Sequence, residues 1–488
     1  MNMEEDIELR TQTHSIKVPR VYKASAGILA AHLRGDGSVK DLVYQQINKS
    51  RHPRVKAIYA LVSEAARNDN ILTKLFSSTQ LIQNEHPLDP SLAKILVSEL
   101  LWGKGLSKAG DSKPVATIRK YESKLKSNLS LKDISKRPVK KAQIPRYVRI
   151  NRLKASDTAL ILAALKSDGY EQVTYKQENV SYSEFLQLAK KLTAYQFLLD
   201  YHFSDLLAFA PGTTFFDHRM YNEGILVLQD KASCLAVEAL DPPQGSCILD
   251  ACAAPGMKTL QAVTKSASLG DKRINCNVIA VERDTKRCNT LRSLMQKFGA
   301  VDKIQIINDD FLKIDPNLYT QVEYIILDPS CSGSGILYRD NDPAEQHEND
   351  SKERLEKLAS LQTKLLRHAL SFPNVKKVAY STCSIHRREN EDVAMEILNG
   401  NESVDPVKSF KLKENCLPNW ETRGLSELGK VGERFIRSKP KEDLGIGFFV
   451  AVFERIVGVN ELGPNSQKRT FCDKTSVVKK KRKKKKLQ

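Results

Sequence analysis

From about Gln229 to Arg455 the chain alternates short apolar runs with stretches of helical spacing, and this alternation restricts its fold more than any other feature. The runs are CILDAC, NVIAVE, KIQIIND, EYIILD and KKVAYS, separated by helices, loops and turns. Apolar runs of strand length alternating with helices build a parallel sheet, with ligands expected beyond the carboxyl ends of the strands. The helix after NVIAVE is predicted through Leu294. Leu355, Leu358, Leu361, Leu365 and Ala369 fall at helical spacing within Ser351 to Leu370, ahead of Pro373, and predict a crossover helix. GIGFFVAVFER reads as a closing strand. No internal repeat is apparent.

The upstream sequence has a different texture. Pro90 to Trp102 (PSLAKILVSELLW) carries Ile95, Leu96, Leu100 and Leu101 in a helical pattern, and the first hundred residues read as helical without obvious catalytic groups. Near Pro145 the run YVRINRL alternates, Ser156 to Ser167 is helix-like and QVTY reads as a short strand, which predicts a small α+β module with a basic entrance facing an anion. At roughly 150 residues per domain, 488 residues suit two to four domains. The expected division is an N-terminal helical domain with a basic C-terminal stretch (1–142), the α+β module (143–228), an α/β domain (229–458) and a disordered basic tail (459–488).

The formal net charge of +19 is concentrated. Lys104 to Lys154 holds 16 Lys+Arg against 3 Asp+Glu, and Lys479 to Lys486 (KKKRKKKK) adds eight cations, whereas Ala155 to Val478 is slightly acidic at −4. Dense like-sign blocks repel themselves and gain from a polyanion, so nucleic acid is the expected partner. The terminal run reads as a nuclear or nucleolar address, or as a loose RNA contact. The nine cysteines are scattered, with no pair at C-x-x-C spacing, which fits free thiols in a reducing compartment rather than a disulfide framework or a zinc ribbon. No apolar run approaches the roughly 20 residues of a membrane span, and four acids lie between Met1 and Arg10. A secretory signal, a mitochondrial presequence, a membrane partner and a metal site are not expected.

The strand ends carry the chemistry. Asp250-Ala-Cys-Ala-Ala-Pro-Gly-Met-Lys-Thr259 begins where a strand ends, and its small residues let the backbone approach a bound molecule ahead of a helix N-terminus. It is not G-x-G-x-x-G, so a dinucleotide is not the natural ligand. Glu282 closes the next strand, where an acid accepts ribose hydroxyls, and Asp309 and Asp310 close the one after, within reach of an adenine edge. Three successive carboxylate ends fit an adenosyl ligand. The fourth strand ends LDPSCSGSG, with Asp328 and Cys331, and the fifth ends YSTCS, with Cys383. Thiols just past the ends of two neighbouring strands, in polar turns, suggest convergence on one substrate.

DACAAPGMKT, LDPSCSGSG and YSTCS, in that order, resemble the motifs of the Sun-domain (RsmB-like) family of RNA cytosine-C5 methyltransferases. PRYVRINRLK (Pro145 to Lys154), QDKASCL (Gln229 to Leu235) and the closing GFFVA are also similar, so the resemblance covers about Pro145 to Arg455. Ser330, the PRYVRIN entrance and the N-terminal helical extension resemble the branch that modifies large-subunit ribosomal RNA. The resemblance implies a class I, Rossmann-like methyltransferase domain behind a small RNA-binding module. It implies S-adenosylmethionine as methyl donor, held by Cys252, Ala253, Ala254, Pro255, Gly256, Met257, Lys258, Glu282, Arg287, Asp310 and Asp328, with Asp309 an alternative to Asp310. It implies Cys383 as nucleophile, Cys331 as the thiol that assists product release, and a monomer acting on ribosomal RNA or pre-ribosomal particles in the nucleus and nucleolus.

Cytosine C5 is a poor nucleophile until a thiolate adds to C6 and makes the ring an enamine. A thiol with a pKa near 8.5 is mostly protonated at neutral pH, so Cys383 needs activation, for which Lys258 is a candidate. Asp328 would bind the N3/N4 edge of the base. The target base must be turned out of its stack. Methylation of transfer or messenger RNA, and a non-catalytic ribosome-assembly factor, are the competing readings. Two thiols in this order disfavour a DNA cytosine methyltransferase, and nothing suggests a protein methyltransferase.

Overall fold

The structure is a computed structural model that describes residues 18–37, 39, 42–43, 55–129, 144–267, 277–336, 352–399 and 409–456. The Lys479–Lys486 run and residues 130–143 of the basic stretch lie outside the described residues.

The N-terminal part is helical: α1 (Arg20–Leu33), α2 (Val55–Arg67), α3 (Asp69–Thr79), α4 (Pro90–Leu101) and α5 (Lys113–Lys120) close around Leu29, Val62, Leu72 and Leu96. α4 starts where its sequence dictates. Asp89 accepts the Leu92 N–H at 2.7 Å, and Pro90 occupies the first turn, where its missing N–H costs nothing.

The next unit contains β1 (Arg146–Ile150), α6 (Thr158–Ser167), β2 (Glu171–Gln172), α7 (Tyr182–Lys190), β3 (Gln196–Leu199), β4 (Leu206–Phe209) and β5 (Leu226–Leu228). Its sheet runs β2-β3-β4-β1-β5. The strand expected at QVTY is displaced: β2 is Glu171–Gln172, and after Val173 donates to Phe197 O the chain leaves the edge for a short turn at Gln177–Asn179.

The basic entrance needs correction. Arg149 points inward and is buried, donating from Nε to Gln229 Oε1 at 2.8 Å, because four consecutive residues of β1 are covered. Arg152 is spent on Ser156 O and Thr158 Oγ1 beside α6. Lys154 donates to the carbonyls of Glu223 and Lys297 at 2.7 Å each. Of the cations in this motif, only Arg146, at the head of β1, has an exposed strand position.

The remaining elements are α8 (Lys231–Leu240), β6 (Ile248–Asp250), α9 (Met257–Ser266), β7 (Val278–Val281), α10 (Thr285–Lys297), β8 (Ile304–Ile307), β9 (Tyr324–Leu327), α11 (Lys352–Leu370), β10 (Lys377–Thr382), α12 (Glu391–Leu398), β11 (Phe410–Leu412), β12 (Ile436–Ser438) and β13 (Phe448–Arg455). The sheet order is β11-β13-β10-β9-β6-β7-β8, with β12 on β13. β6 to β10 are parallel, and β13 joins β10 antiparallel, Tyr380 lying opposite Leu327 and Ala451. Consecutive residues such as Ile248 and Leu249 enter different cores on the two faces, which is why these strands read as unbroken apolar runs. α10 continues past Leu294 to Lys297.

The module is tied to this domain at two places. Asn151 Nδ2 donates to Gly224 O and to Phe298 O, both at 2.9 Å. Lys231, wholly buried, pairs with buried Asp200 at 2.7 Å and lies 5.0 to 5.4 Å from the rings of Tyr182, Phe185 and Trp420. His202, in the same cluster, shares a 2.9 Å hydrogen bond with Asn419 O.

Candidate active site

The carboxyl ends of β6, β7, β8, β9 and β10 open on a cleft of about 510 Å³, a size suited to a cofactor. Cys252, Ala254, Pro255, Glu282, Arg287, Asp310, Asp328, Cys331 and Cys383 line it. Ala253, Gly256, Met257 and Lys258, also expected to hold the cofactor, do not line it. Asp310 faces the cleft, whereas Asp309 lies outside it, half exposed, with its Oδ1 taken by the Asp310 N–H at 2.7 Å. A larger depression of about 660 Å³, lined by Lys376, Lys377, Lys411, Glu454 and Arg455, lies at the other end of the strands. It holds neither thiols nor converging carboxylates.

The turn after β6 is built for close approach. Ala253 N–H is held by Val281 O at 3.0 Å and Ala254 N–H by Glu282 Oε2 at 3.3 Å. Arg287 bridges Ala254 O and the Glu282 carboxylate. Gly256 has φ +115°, a backbone conformation that residues with a side chain rarely adopt, and a Cβ there would press on Leu291 Cδ1 at 2.7 Å and Met295 Cε at 2.8 Å. Asp250 is buried beneath the turn. Its Oδ2 accepts from Thr259 Oγ1 at 2.7 Å, while Oδ1 has no hydrogen-bond partner among the described residues. Burial, helped by Asp328, pushes its carboxyl up to about 6 against the Thr259 bond. A cleft of this size, a turn of small residues at Ala253, Ala254 and Gly256 and a buried acid at Glu282 fit S-adenosylmethionine.

The two thiols meet at the cleft's edge, Cys331 Sγ lying 3.2 Å from Cys383 Sγ. β9 and β10 are neighbours, so residues 52 apart in sequence become adjacent. The turns are laced together: Gly335 N–H donates to Cys383 O at 2.9 Å, and the hydroxyls of Ser332, Ser334 and Ser384 lie within 3.1 to 3.2 Å of one another. The Cys383 contact, burial and the charges of Asp328 and Glu389 hold the Cys331 thiol well above the usual range.

Asp328 is gripped on both oxygens, by Ser381 Oγ and by Lys258 Nζ, each at 2.8 Å. Burial pulls the Lys258 ammonium down, but Asp328, Cys383 and Asp250 more than offset this, and the net shift is upward. A Cys383 thiolate and the Lys258 ammonium therefore attract each other. Together the groups offer an acid-lined cleft of cofactor size, a thiol that interacts with a cation and a second, protonated thiol.

Phe311, Leu361 and Leu365 also line the cleft, a role that neither the motifs nor the helical spacing of the two leucines marks. Phe311 follows the Asp309-Asp310 pair directly, and an apolar residue after a strand-end acid was the available signal. Among the described residues no group of His, Cys, Asp and Glu is placed to hold a metal, and no helix is long and apolar enough to cross a membrane.

Comparison with known proteins agrees with this geometry. Residues 237–454 match the family of 16S rRNA methyltransferase RsmB/F. Residues 56–143 and 144–229 match the N-terminal and ferredoxin-like domains of NOL1/NOP2/Sun domain family member 5. The chain is 37% identical to the 28S rRNA (cytosine-C(5))-methyltransferase of Mus musculus over 95% of this chain and 97% of that one. It is 36% identical to the enzyme of the same description from Drosophila melanogaster, over 91% and 97% of the two chains. Identity to the 25S rRNA (cytosine-C(5))-methyltransferase rcm1 of Schizosaccharomyces pombe is 35%, over 88% and 90%. The crystal structure of PH0851 shares the fold with a TM-score of 0.60, at 18% identity over 90% of this chain and 100% of that one. The chain therefore belongs to the NOL1/NOP2/Sun domain family of RNA cytosine-C5 methyltransferases, in the branch of family member 5.

Proposed function

We propose that this chain methylates C5 of a cytosine in large-subunit ribosomal RNA, with Cys383 as nucleophile and Cys331 as the thiol of product release. The observation that carries the reading is the pair of thiols 3.2 Å apart at the rim of an acid-lined cleft. The large-subunit substrates of the mouse, fly and fission-yeast relatives support the choice of RNA.

S-adenosylmethionine, the family's methyl donor, supplies an electrophilic methyl group when bound, and Ala254, Pro255, Glu282, Arg287, Asp310 and Asp328 would hold it. Cys383, as thiolate, adds to C6 of the base, and the pair of electrons displaced from the C5–C6 bond makes C5 nucleophilic. Lys258 stabilises that thiolate from its place beside Asp328. Asp328 accepts from the exocyclic amino group and fixes the ring plane against the thiols. Once C5 carries the methyl group, its proton leaves toward Cys331 or a water that Cys331 directs. The C5–C6 double bond re-forms and the Cys383 sulfur departs.

Exposed Arg146, at the start of β1, and the cations of Lys104 to Leu129 support phosphate contacts outside the cleft. The Lys479–Lys486 run is read as a nuclear or nucleolar address.

Bisulfite sequencing of total RNA from cells lacking the protein, with and without rescue by Cys383→Ala, tests the reading. One large-subunit cytosine mark should vanish and return only with the unmodified chain. An unchanged ribosomal RNA profile would sink the substrate assignment, and failure to bind S-adenosylmethionine would favour a non-catalytic assembly role.

A further inference from the structure

Each thiol is flanked by residues bound to one member of a consecutive pair, Glu389 and Asn390. Glu389 is wholly buried. Its Oε1 accepts from the N–H of Ser332 at 2.9 Å and from Gln362 Nε2 at 3.1 Å, and Gln362 Nε2 also donates to Ser330 O at 3.1 Å. Ser330 and Ser332 are the two neighbours of Cys331. Asn390, equally buried, accepts from Thr382 Oγ1 at 2.5 Å and donates from Nδ2 to Ser384 O at 2.9 Å. Thr382 and Ser384 are the two neighbours of Cys383.

The main chain of the pair is fixed in turn. Tyr380 Oη donates to Glu389 O at 2.5 Å, and the Glu389 N–H donates to His386 O at 3.2 Å. Next in sequence, Glu391 pairs with Arg437, whose Nη1 donates to Ile385 O. Two turns from distant parts of the sequence are thus referred to side chains one peptide unit apart, a spacing of about 3.8 Å between Cα atoms that cannot stretch.

Packing alone does not account for Glu389. Its Oε2 is buried with no hydrogen-bond partner among the described residues, and a buried carboxylate carries a large desolvation penalty that an amide or an apolar side chain avoids. Its charge also contributes, after the Cys383 contact, burial and Asp328, to holding the proton on Cys331.

We propose that Glu389 and Asn390 are positioning residues with separate tasks: Glu389 sets the Cys331 turn for product release, and Asn390 sets the Cys383 turn for attack on the base. The inference rests on the roles proposed above for the two thiols.

The test uses the full chain, S-adenosylmethionine and total RNA from cells lacking the protein, read on a denaturing gel beside turnover, thermal midpoint and S-adenosylmethionine affinity. Because a misplacement near 1 Å costs about 100-fold in rate, Glu389→Ala should lose about that much turnover. It should also accumulate an RNA–protein band that survives denaturant, as Cys331→Ala should, with cofactor affinity within about twofold of the unmodified chain. Asn390→Ala should be as slow without the band, and should abolish the band when combined with Cys331→Ala. Glu389→Gln keeps the acceptor for Ser332 and should restore turnover to within about tenfold. Gln362→Ala, which leaves both residues of the pair in place, should give a weaker band of the same kind. A band with Cys331→Ala but none with Glu389→Ala or Gln362→Ala overturns the positioning role alone. No band with any of them overturns the assignment of the thiols and this inference with it.

Discussion

Lys258 Nζ lies 2.8 Å from Asp328 Oδ2 across 70 residues of sequence, and the same ammonium feels the Cys383 sulfur. Removing the cation by Lys258→Met should leave the Cys383 thiolate without the Lys258 positive charge that acts on it. Methyl transfer near pH 7 should fall by at least about tenfold and recover in part toward pH 9, because a thiol needs higher pH to ionise unaided. A pH–rate profile with an unmoved acid limb would remove Lys258 from the activation of the thiol.

The contact between Cys331 and Cys383 predicts opposite phenotypes for two equally conservative changes. Cys383→Ala should abolish transfer without any covalent adduct. Cys331→Ala should stall after transfer and trap RNA on the protein. An adduct with the first variant and none with the second would reverse the assignments.

Adjacent acids should differ in cofactor binding. Asp310 lines the cleft and half-exposed Asp309 does not, so Asp310→Ala should raise the Kd for S-adenosylmethionine by about tenfold, about 1.4 kcal/mol, while Asp309→Ala should stay within about twofold. Calorimetric titration of both variants decides this, and equal effects would count against the placement.

Stability should fall in mild acid through His202. Burial, reinforced by Lys231 and opposed by Asp200 and the Asn419 carbonyl, pulls its imidazole down to about 4. Between about pH 4 and the ordinary histidine value of about 6.5, the unfolded chain binds a proton that the folded chain refuses, so stability rises with pH across that window. The contribution is bounded by roughly 3 kcal/mol. His202→Gln should flatten this part of the curve. Denaturant midpoints at pH 5 and pH 7 that shift equally in both proteins would exclude His202 as the cause.

The α/β domain is legible because β6, β7, β9 and β10 are covered on both faces and so read as apolar runs ending in functional groups, with β8, exposed at Gln305, at the sheet's edge. Glu282, Asp328 and Cys383 stand out because each follows such a run at once, and Cys331 because it lies three residues after Asp328 in the same turn. Arg149 was misread for the converse reason: nothing in YVRINRL distinguishes an arginine aimed at a phosphate from one buried against Gln229. Glu389 was invisible because it sits in a charged run, RREN, that looks like solvated surface. Only the folded chain brings it under Ser332. QVTY failed as a four-residue strand because it leaves the sheet's edge just after Val173, a matter of partner geometry rather than propensity.

Asn151, Lys154 and Lys231 fasten the small module to the catalytic domain by hydrogen bonds to Phe298 and Lys297 and by a buried ion pair with Asp200. With both seams pinned, the fold itself sets the separation of Arg146 from Cys383, like the gauge of a calliper. If a strand is held at Arg146 as proposed, the nucleotide presented to Cys383 should be the one a set distance along it. Selection of the target then falls to the RNA, which must offer a cytosine that can be turned out at that distance, and a flexible substrate should be modified less faithfully than one held in a folded particle.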